Sequence, residues 1–252
     1  KPEHFTYELF LDENGHKISK SSGNGVSIDQ WLNYASAESL SYFMYQKPKT
    51  AKRMYFDVIP KAVDEYHQQL RAYETQDEKA RLNNPVWHIH NGHVPKSDMV
   101  ISFAMLLNLA SVSSAETKET LWGFIQRYVP GSGPESHPSM DQAVGFAVRY
   151  YNDFVKPTKT YRTASKVEQQ ALEALRDALI AHDGAVDDET LQSIVYAEGR
   201  ERFDPLRDWF TAIYEVLLGS SQGPRFGGFI ALYGVDETVK LIDEALSGKL
   251  VP

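Results

Sequence analysis

No cysteine occurs among the 252 residues. That excludes a disulfide scaffold, a thiolate zinc site and a cysteine nucleophile together. No apolar run approaches the roughly 20 residues of a membrane-spanning helix, and no charged-then-apolar leader pattern opens the chain. Positive charge is in deficit, with 26 Lys and Arg against 34 Asp and Glu, net −8. The chain as a whole is therefore not an electrostatic glue for nucleic acid or membrane, although a basic stripe on an acidic body stays open to RNA. What is present is ordinary for a folded chain: 42% hydrophobic and 24% charged residues, enough for a sizeable core. Composition thus predicts a soluble, cytoplasmic globular protein that binds neither DNA nor a membrane.

The first segment, Phe5-Thr6-Tyr7-Glu8-Leu9-Phe10-Leu11, reads as extended, and Asp12-Glu13-Asn14-Gly15 reads as a hairpin turn because Asn and Gly both tolerate positive φ. A lone hairpin is marginal in water. Its packing partner is expected N-terminal to Lys1, in chain that precedes this sequence. After residue 36 the pattern is helical. Ile59, Val63, Tyr66, Leu70 and Tyr73 form one apolar stripe. Ser113-Ser114-Ala115-Glu116 and Ser165-Lys166-Val167-Glu168 read as capping boxes. Asp204-Pro205 reads as an N-cap followed by proline at the first helical position, Gly219 as a left-handed cap, and Gly234 as a stop before a last helix reaching Ser247-Gly248. Loops are expected from Asn83 to Pro95 and from Pro130 to Pro138. These features predict a mainly α protein, a helical bundle with a small β-hairpin at its front.

Between hairpin and helices lies Lys17-Ile18-Ser19-Lys20-Ser21-Ser22-Gly23-Asn24-Gly25. Hydroxyls and backbone N–H groups in such a loop can surround phosphate oxygens while ammonium groups neutralise them. A solvated Ser/Gly turn is the bland alternative. Two basic runs stand out from the acidic mean: Lys47, Lys49, Lys52, Arg53 and Lys61, and later Lys156, Lys159, Arg162 and Lys166. Either fits a track for an RNA backbone or a solvated face. His88, His90 and His93 have spacing that a metal could use, but hydrogen bonding and packing are the default reading and no metal site is expected. The Tyr150 to Phe154 cluster reads as core before it reads as a base-stacking surface.

Lys17-Ile18-Ser19-Lys20-Ser21 resembles the KMSKS signature of class I aminoacyl-tRNA synthetases, with Ile18 in place of Met. The stretch from Phe10 to Asp64, including Ile28-Asp29-Gln30-Trp31-Leu32, Ser41 to Lys49 and Tyr55-Phe56-Asp57, is similar to the class I lysyl-tRNA synthetases in particular. The resemblance extends over the chain, weakening between residues 83 and 200. It implies an enzyme that activates lysine with ATP, usually with Mg2+, and passes it to tRNA-Lys. It also implies that Lys17 and Lys20 are catalytic contacts to ATP phosphates, with Ser19 and Ser21 bracing the loop. The family's second ATP signature, a His-Ile-Gly-His-like element preceding KMSKS, has no counterpart here. His88-Ile89-His90-Asn91-Gly92-His93 comes after the loop and departs from that pattern at His90. This piece alone is therefore expected to bind tRNA without catalysing.

Three regions follow from the resemblance. Residues 1–46 would be the KMSKS loop and stem-contact region, 47–157 a first helical subdomain, and 158–252 a helical anticodon-binding cage. Phe203-Asp204-Pro205-Leu206-Arg207 and Gly219 to Phe226 look like the end of the anticodon-binding domain shared with glutamyl-tRNA synthetases. This carries over Arg207, Pro224, Arg225 and Phe226 as tRNA contacts, beside Lys47, Lys49, Lys52 and Arg53 near the stem. Phe226 reads equally as a core residue with Phe229, Ile230 and Leu232. The rival readings are a helical RNA-binding or scaffold module with an accidental loop motif, and a class I synthetase for glutamate or arginine.

Overall fold

The computed structural model describes residues 4, 6–19, 21–115 and 117–251. Thirteen α-helices are assigned among them: α1 (Ile28–Leu32), α2 (Ala37–Tyr45), α3 (Val58–Thr75), α4 (Glu78–Asn83), α5 (Pro85–Ile89), α6 (Phe103–Ser113), α7 (Lys118–Tyr128), α8 (Pro138–Tyr150), α9 (Lys166–Ala181), α10 (Asp188–Arg200), α11 (Arg207–Ile213), α12 (Phe226–Tyr233) and α13 (Val235–Leu246). Single π-helical turns, Tyr151–Val155 and Tyr214–Leu218, extend α8 and α11. The sheet is minimal: β1 (Phe10–Leu11) pairs in parallel with β2 (Lys52–Arg53). The fold is thus the mainly helical one expected, and no helix of the described residues is long and apolar enough to cross a membrane.

The chain forms two compact units, one of residues 1–104 and 134–149, the other of 105–133 and 150–252. These boundaries cut across the divisions expected after residues 46 and 157. In the first unit, Ile59, Val63, Tyr66 and Leu70 of the α3 stripe are buried as expected. Tyr66 and Leu70 cluster with Tyr42 of α2 and Val86 of α5. Asp64, on another face of α3, accepts hydrogen bonds from the backbone N–H groups of Phe103 (2.6 Å) and Ala104 (3.1 Å), satisfying donors that open α6. The returning segment is tied in by Ser139 N–H to Asp98 (2.9 Å) and by Arg149 to the Asn33 carbonyl (2.5 Å).

The second unit has a larger core, drawn from α9 to α13 and including Leu172, Leu175, Trp209, Ile213, Phe226, Phe229 and Ile230. Two glycines allow its closest approaches. A Cβ on Gly227 would lie 2.3 Å from Gln192 N and 2.5 Å from Asp188 O, so α12 meets the backbone of α10 directly. A Cβ on Gly199 would strike the Trp209 indole, whose Nε1 donates to Val195 O at 2.9 Å.

Several local expectations change. Ser113 opens no capping box. It lies in the last turn of α6, its hydroxyl bonded back to Leu109 O (2.6 Å), and Ser114 at φ 48° closes the helix. Thr117 caps α7 instead, and Glu116 falls outside the described residues. The Asn83–Pro95 stretch contains α5 because Asn84 caps it and Pro85 occupies its first turn. The Asp204–Pro205 bond is cis, and a turn from Pro205 O to Asp208 N (3.0 Å) precedes α11, which starts at Arg207. Gly219 (φ 65°) does cap in the left-handed region, and α13 ends just before Ser247.

Ser165 and Glu168 do form the expected capping box. Glu168 also holds Arg162 through two bonds (2.7 and 2.8 Å), and Arg162 reaches Glu215 at 2.6 Å. The Arg162 guanidinium is the main reason that the Glu168 carboxyl sits at about 2, against a usual 4.5. A carboxyl more acidic in the fold than in the unfolded chain binds fewer protons when folded. Its stabilisation is complete above about pH 4.5 and is lost as pH falls towards 2. Acid melting should therefore steepen in that window and flatten in Glu168→Gln, which keeps the cap; identical acid limbs in both proteins would refute the assignment.

Candidate functional site

The hairpin turn is built on Asp12, whose Oδ1 accepts from Asn14 N (3.0 Å) and His16 N (2.8 Å). Gly15 takes φ 85°, whereas Asn14 stays out of the left-handed region, so one residue of the pair supplies the positive φ. Asp12 N donates to His16 O and Ile18 N to Phe10 O, which returns the chain antiparallel. One edge of β1 is taken by β2. Leu11 pairs with Lys17 on one side and with Arg53 on the other. Residues directly paired across strands share a face, so Lys17, Leu11 and Arg53 stand in one row with strands about 4.8 Å apart. Alternation along β2 sends Lys52 the other way.

After Lys17 the chain closes a small loop. Asn24 is its brace: Oδ1 accepts from Ser19 N (3.2 Å) and from the Ser22 hydroxyl (2.6 Å), while Nδ2 donates to Asp12 Oδ2 (2.8 Å) and Lys17 O (3.3 Å). Gly23 N donates to Ser19 O, and the Ser19 hydroxyl lies 2.6 Å from that of Ser22 and 3.2 Å from that of Ser21. The Ile18 side chain occupies the space a Cβ on Gly25 would need. Asn24 is the main cause holding the Asp12 carboxyl below the usual range, so Asp12 stays anionic as an acceptor. Lys17 is exposed and has no carboxylate partner among the described residues. Lys20 lies outside them.

The basic strip divides in the same way. Lys47 (φ 40°), Lys49 and Arg53 are exposed and, among the described residues, unpaired with acids. Lys52 is half-buried, and its Nζ donates to Phe43 O (2.5 Å) and Met44 O (3.0 Å) at the end of α2. That is a helix C-terminal cation, and burial lowers its pKa. In the later run, Lys159 donates to Ser111 O (2.5 Å) between the Tyr151 and Tyr161 rings, its pKa lowered by burial to about 8. Arg162 is held by Glu168 and Glu215. Those two cations serve the fold. His88 bonds to Leu82 O and stacks on Tyr45, whereas His90 bonds to the Tyr66 hydroxyl.

Near the C-terminus, Arg207 and Arg225 are exposed, and Pro224 is half-buried with its carbonyl accepting from the Tyr214 hydroxyl at 2.7 Å. Phe226 is a correction. It is fully buried and stacks on Phe229 with ring centroids 5.3 Å apart, so the core reading holds and its ring is closed to a base.

The family model for class I tRNA synthetases (K) matches residues 1–93, which contain both the braced loop and the basic strip. A lysine–tRNA ligase of Roseobacter denitrificans is 79% identical over 250 residues, covering 99% of this chain and 47% of that protein. The chain belongs to the class I lysyl-tRNA synthetases. The likeness extends to Rickettsia: lysine–tRNA ligases of Rickettsia bellii and Rickettsia felis are 48% and 47% identical over 248 residues, 97% of this chain. The chain spans about half the length of the curated relatives it matches.

Within that family frame, the sequence placed Ser22 and Asn24 in the loop and Asp12 in the turn, but not the bonds from Asn24 to Asp12 and Ser22 that brace it. An Asp two residues before Asn-Gly is a recognisable side-chain turn and could have flagged Asp12. Nothing local marks Asn24 as its partner.

Proposed function

We propose that this chain is the tRNA-engaging, C-terminal part of a cytoplasmic lysine-tRNA ligase whose whole form uses ATP and lysine to charge tRNA-Lys. The observation that carries the reading is the braced loop with Lys17 and Arg53 in one row beside it. Its donor set fits a polyphosphate: cations that among the described residues are unpaired, serine hydroxyls and glycine-rich backbone, in a stretch, residues 17–25, whose sequence has no carboxylate. Lys17, Ser19 and Ser21 would hold ATP phosphates, together with Lys20, and a Mg2+ ion would accompany the nucleotide. When bound, ATP would supply the adenylyl group that activates the lysine carboxylate, the bond between its α- and β-phosphates breaking so that pyrophosphate leaves. Lys17 neutralises charge, the serines orient hydroxyls towards oxygens, and Asn24 and Asp12 keep the loop closed.

In this reading residues 1–46 form the loop and stem-contact region, and 158–252 carry the anticodon-binding cage. Lys47, Lys49 and Arg53 meet the tRNA backbone near its stem, and Arg207, Pro224 and Arg225 approach the anticodon. The test is binding of this chain to a lysine tRNA transcript and to one with a changed anticodon, at two salt concentrations. Tight binding that weakens on anticodon change is expected. Lys49→Ala and Arg53→Ala should each weaken both RNAs alike and reduce the salt slope by about 1. Equal binding to both transcripts would overturn the anticodon assignment, and unaltered binding in the two variants would remove the stem track.

A further inference from the structure

We infer that α10, α11 and the π-helical turn after it present a stacking platform for unpaired RNA bases, with Tyr196 as its solvent-facing plate. The inference rests on the tRNA reading above and adds residues to it. Tyr196, Phe210 and Tyr214 form a continuous aromatic series: Tyr196 and Phe210 are edge-to-face at 5.3 Å and 72°, and Phe210 and Tyr214 follow at 6.4 Å and 36°. Phe210 and Tyr214 lean on the core of this unit, which fixes them, whereas Tyr196 is 37% exposed. An exposed tyrosine packed edge-to-face with a seated ring is an apolar plate in contact with water.

The charge around the series points to RNA as the occupant. Arg200 lies over the Tyr196 ring, 5.6 Å from its centroid, one helical turn further on α10. Arg207 opens α11 one turn before Phe210, on the same face as Phe210 and Tyr214. Arg225 follows the Gly223-Pro224 turn, which is fastened to the series by the Tyr214 hydroxyl on Pro224 O and by Gly223, whose missing Cβ makes room for the Tyr214 ring. All three arginines are exposed and, among the described residues, have no carboxylate partner. On a chain of net −8, three unneutralised guanidinium groups around an aromatic row are complementary to a phosphate backbone whose bases are splayed out. Two of the acids nearby in sequence are directed elsewhere. Glu198 is paired with Arg202 at 3.2 Å, and Asp208 sits one position on from Arg207, about 100° around α11 and off this face.

The experiment is binding of this chain to a stem-loop RNA with an unpaired loop and to a fully paired duplex. Tyr196→Ala should weaken stem-loop binding about tenfold, the loss of one stacked base, and leave duplex binding unchanged. Tyr196→Phe should restore it, because the ring suffices. Arg200→Ala should weaken the stem-loop and flatten its salt dependence. An unaltered stem-loop affinity in Tyr196→Ala, with helix content and melting intact, overturns the platform and leaves the tRNA reading standing. Failure of the unmodified chain to bind any tRNA overturns both. Binding of an aromatic-rich peptide that displaces no RNA would reassign the face to a protein partner and overturn the proposal.

Discussion

Gly227→Ala is expected to destabilise the second unit by about 3 kcal/mol, although alanine is the better helix former by about 1 kcal/mol. The new Cβ would meet Gln192 N at 2.3 Å and Asp188 O at 2.5 Å, both backbone atoms that no rotamer change can move aside. α12 would have to lift from α10. That strains the bond from Gly227 N to Gln192 Oε1 (2.8 Å) and unseats Phe226, Phe229 and Ile230, all fully buried. The neighbouring glycine is the control. A Cβ on Gly228 meets nothing closer than 3.6 Å, so Gly228→Ala should be neutral or slightly stabilising. For a chain of this size the first change corresponds to a fall in melting temperature of about 6–12 °C. Equal melting of the two variants would show that α12 does not sit on α10 at this residue.

Lys17→Ala should slow lysine activation about a hundredfold, roughly 3 kcal/mol of transition-state stabilisation, in a protein of the relatives' full length. Pyrophosphate exchange would measure it. The expectation follows from an exposed ammonium without an acidic partner among the described residues, held beside a loop whose backbone and hydroxyls are already tied in place. Affinity for tRNA should change little, which separates a phosphate contact from an RNA contact. Asn24→Ala leaves every cation present and removes the brace, so it should lower kcat/KM by about tenfold through lost preorganisation. Full activity in Lys17→Ala would remove that lysine from the chemistry and leave Lys20 as the sole lysine proposed for the loop.

Much of the helical pattern was legible because its causes are local. The α3 stripe, the Ser165–Glu168 box and the left-handed Gly219 each depend on residues within a turn or two. The loop's lysines and serines were visible for the same reason. The row of Lys17, Leu11 and Arg53 was not, because parallel pairing joins residues 10 and 11 to 52 and 53, and no periodicity encodes such a join. Lys159 and Arg162 looked like a free basic run because the groups that occupy them, Ser111 O, Glu168 and Glu215, arrive from other elements. Lys52 was misleading in the same way. Phe226 posed a different problem: an aromatic at the start of a helix has the same sequence appearance whether it faces the core or a base.

The first unit is not contiguous in the chain. Its residues 1–104 are joined by 134–149, whose Ser139 N–H and Arg149 are bonded to Asp98 and Asn33. A ribosome makes the chain from one end, so this unit stays unfinished until Arg149 has left the exit tunnel. By then residues 105–133, which belong to the other unit, have already been translated. The usual order in which an N-terminal body folds before its successor begins is therefore interrupted. Synthesis stalled before residue 134 would leave the first unit without the bonds that Ser139 and Arg149 make to Asp98 and Asn33, a state open to proteolysis and to chaperone capture.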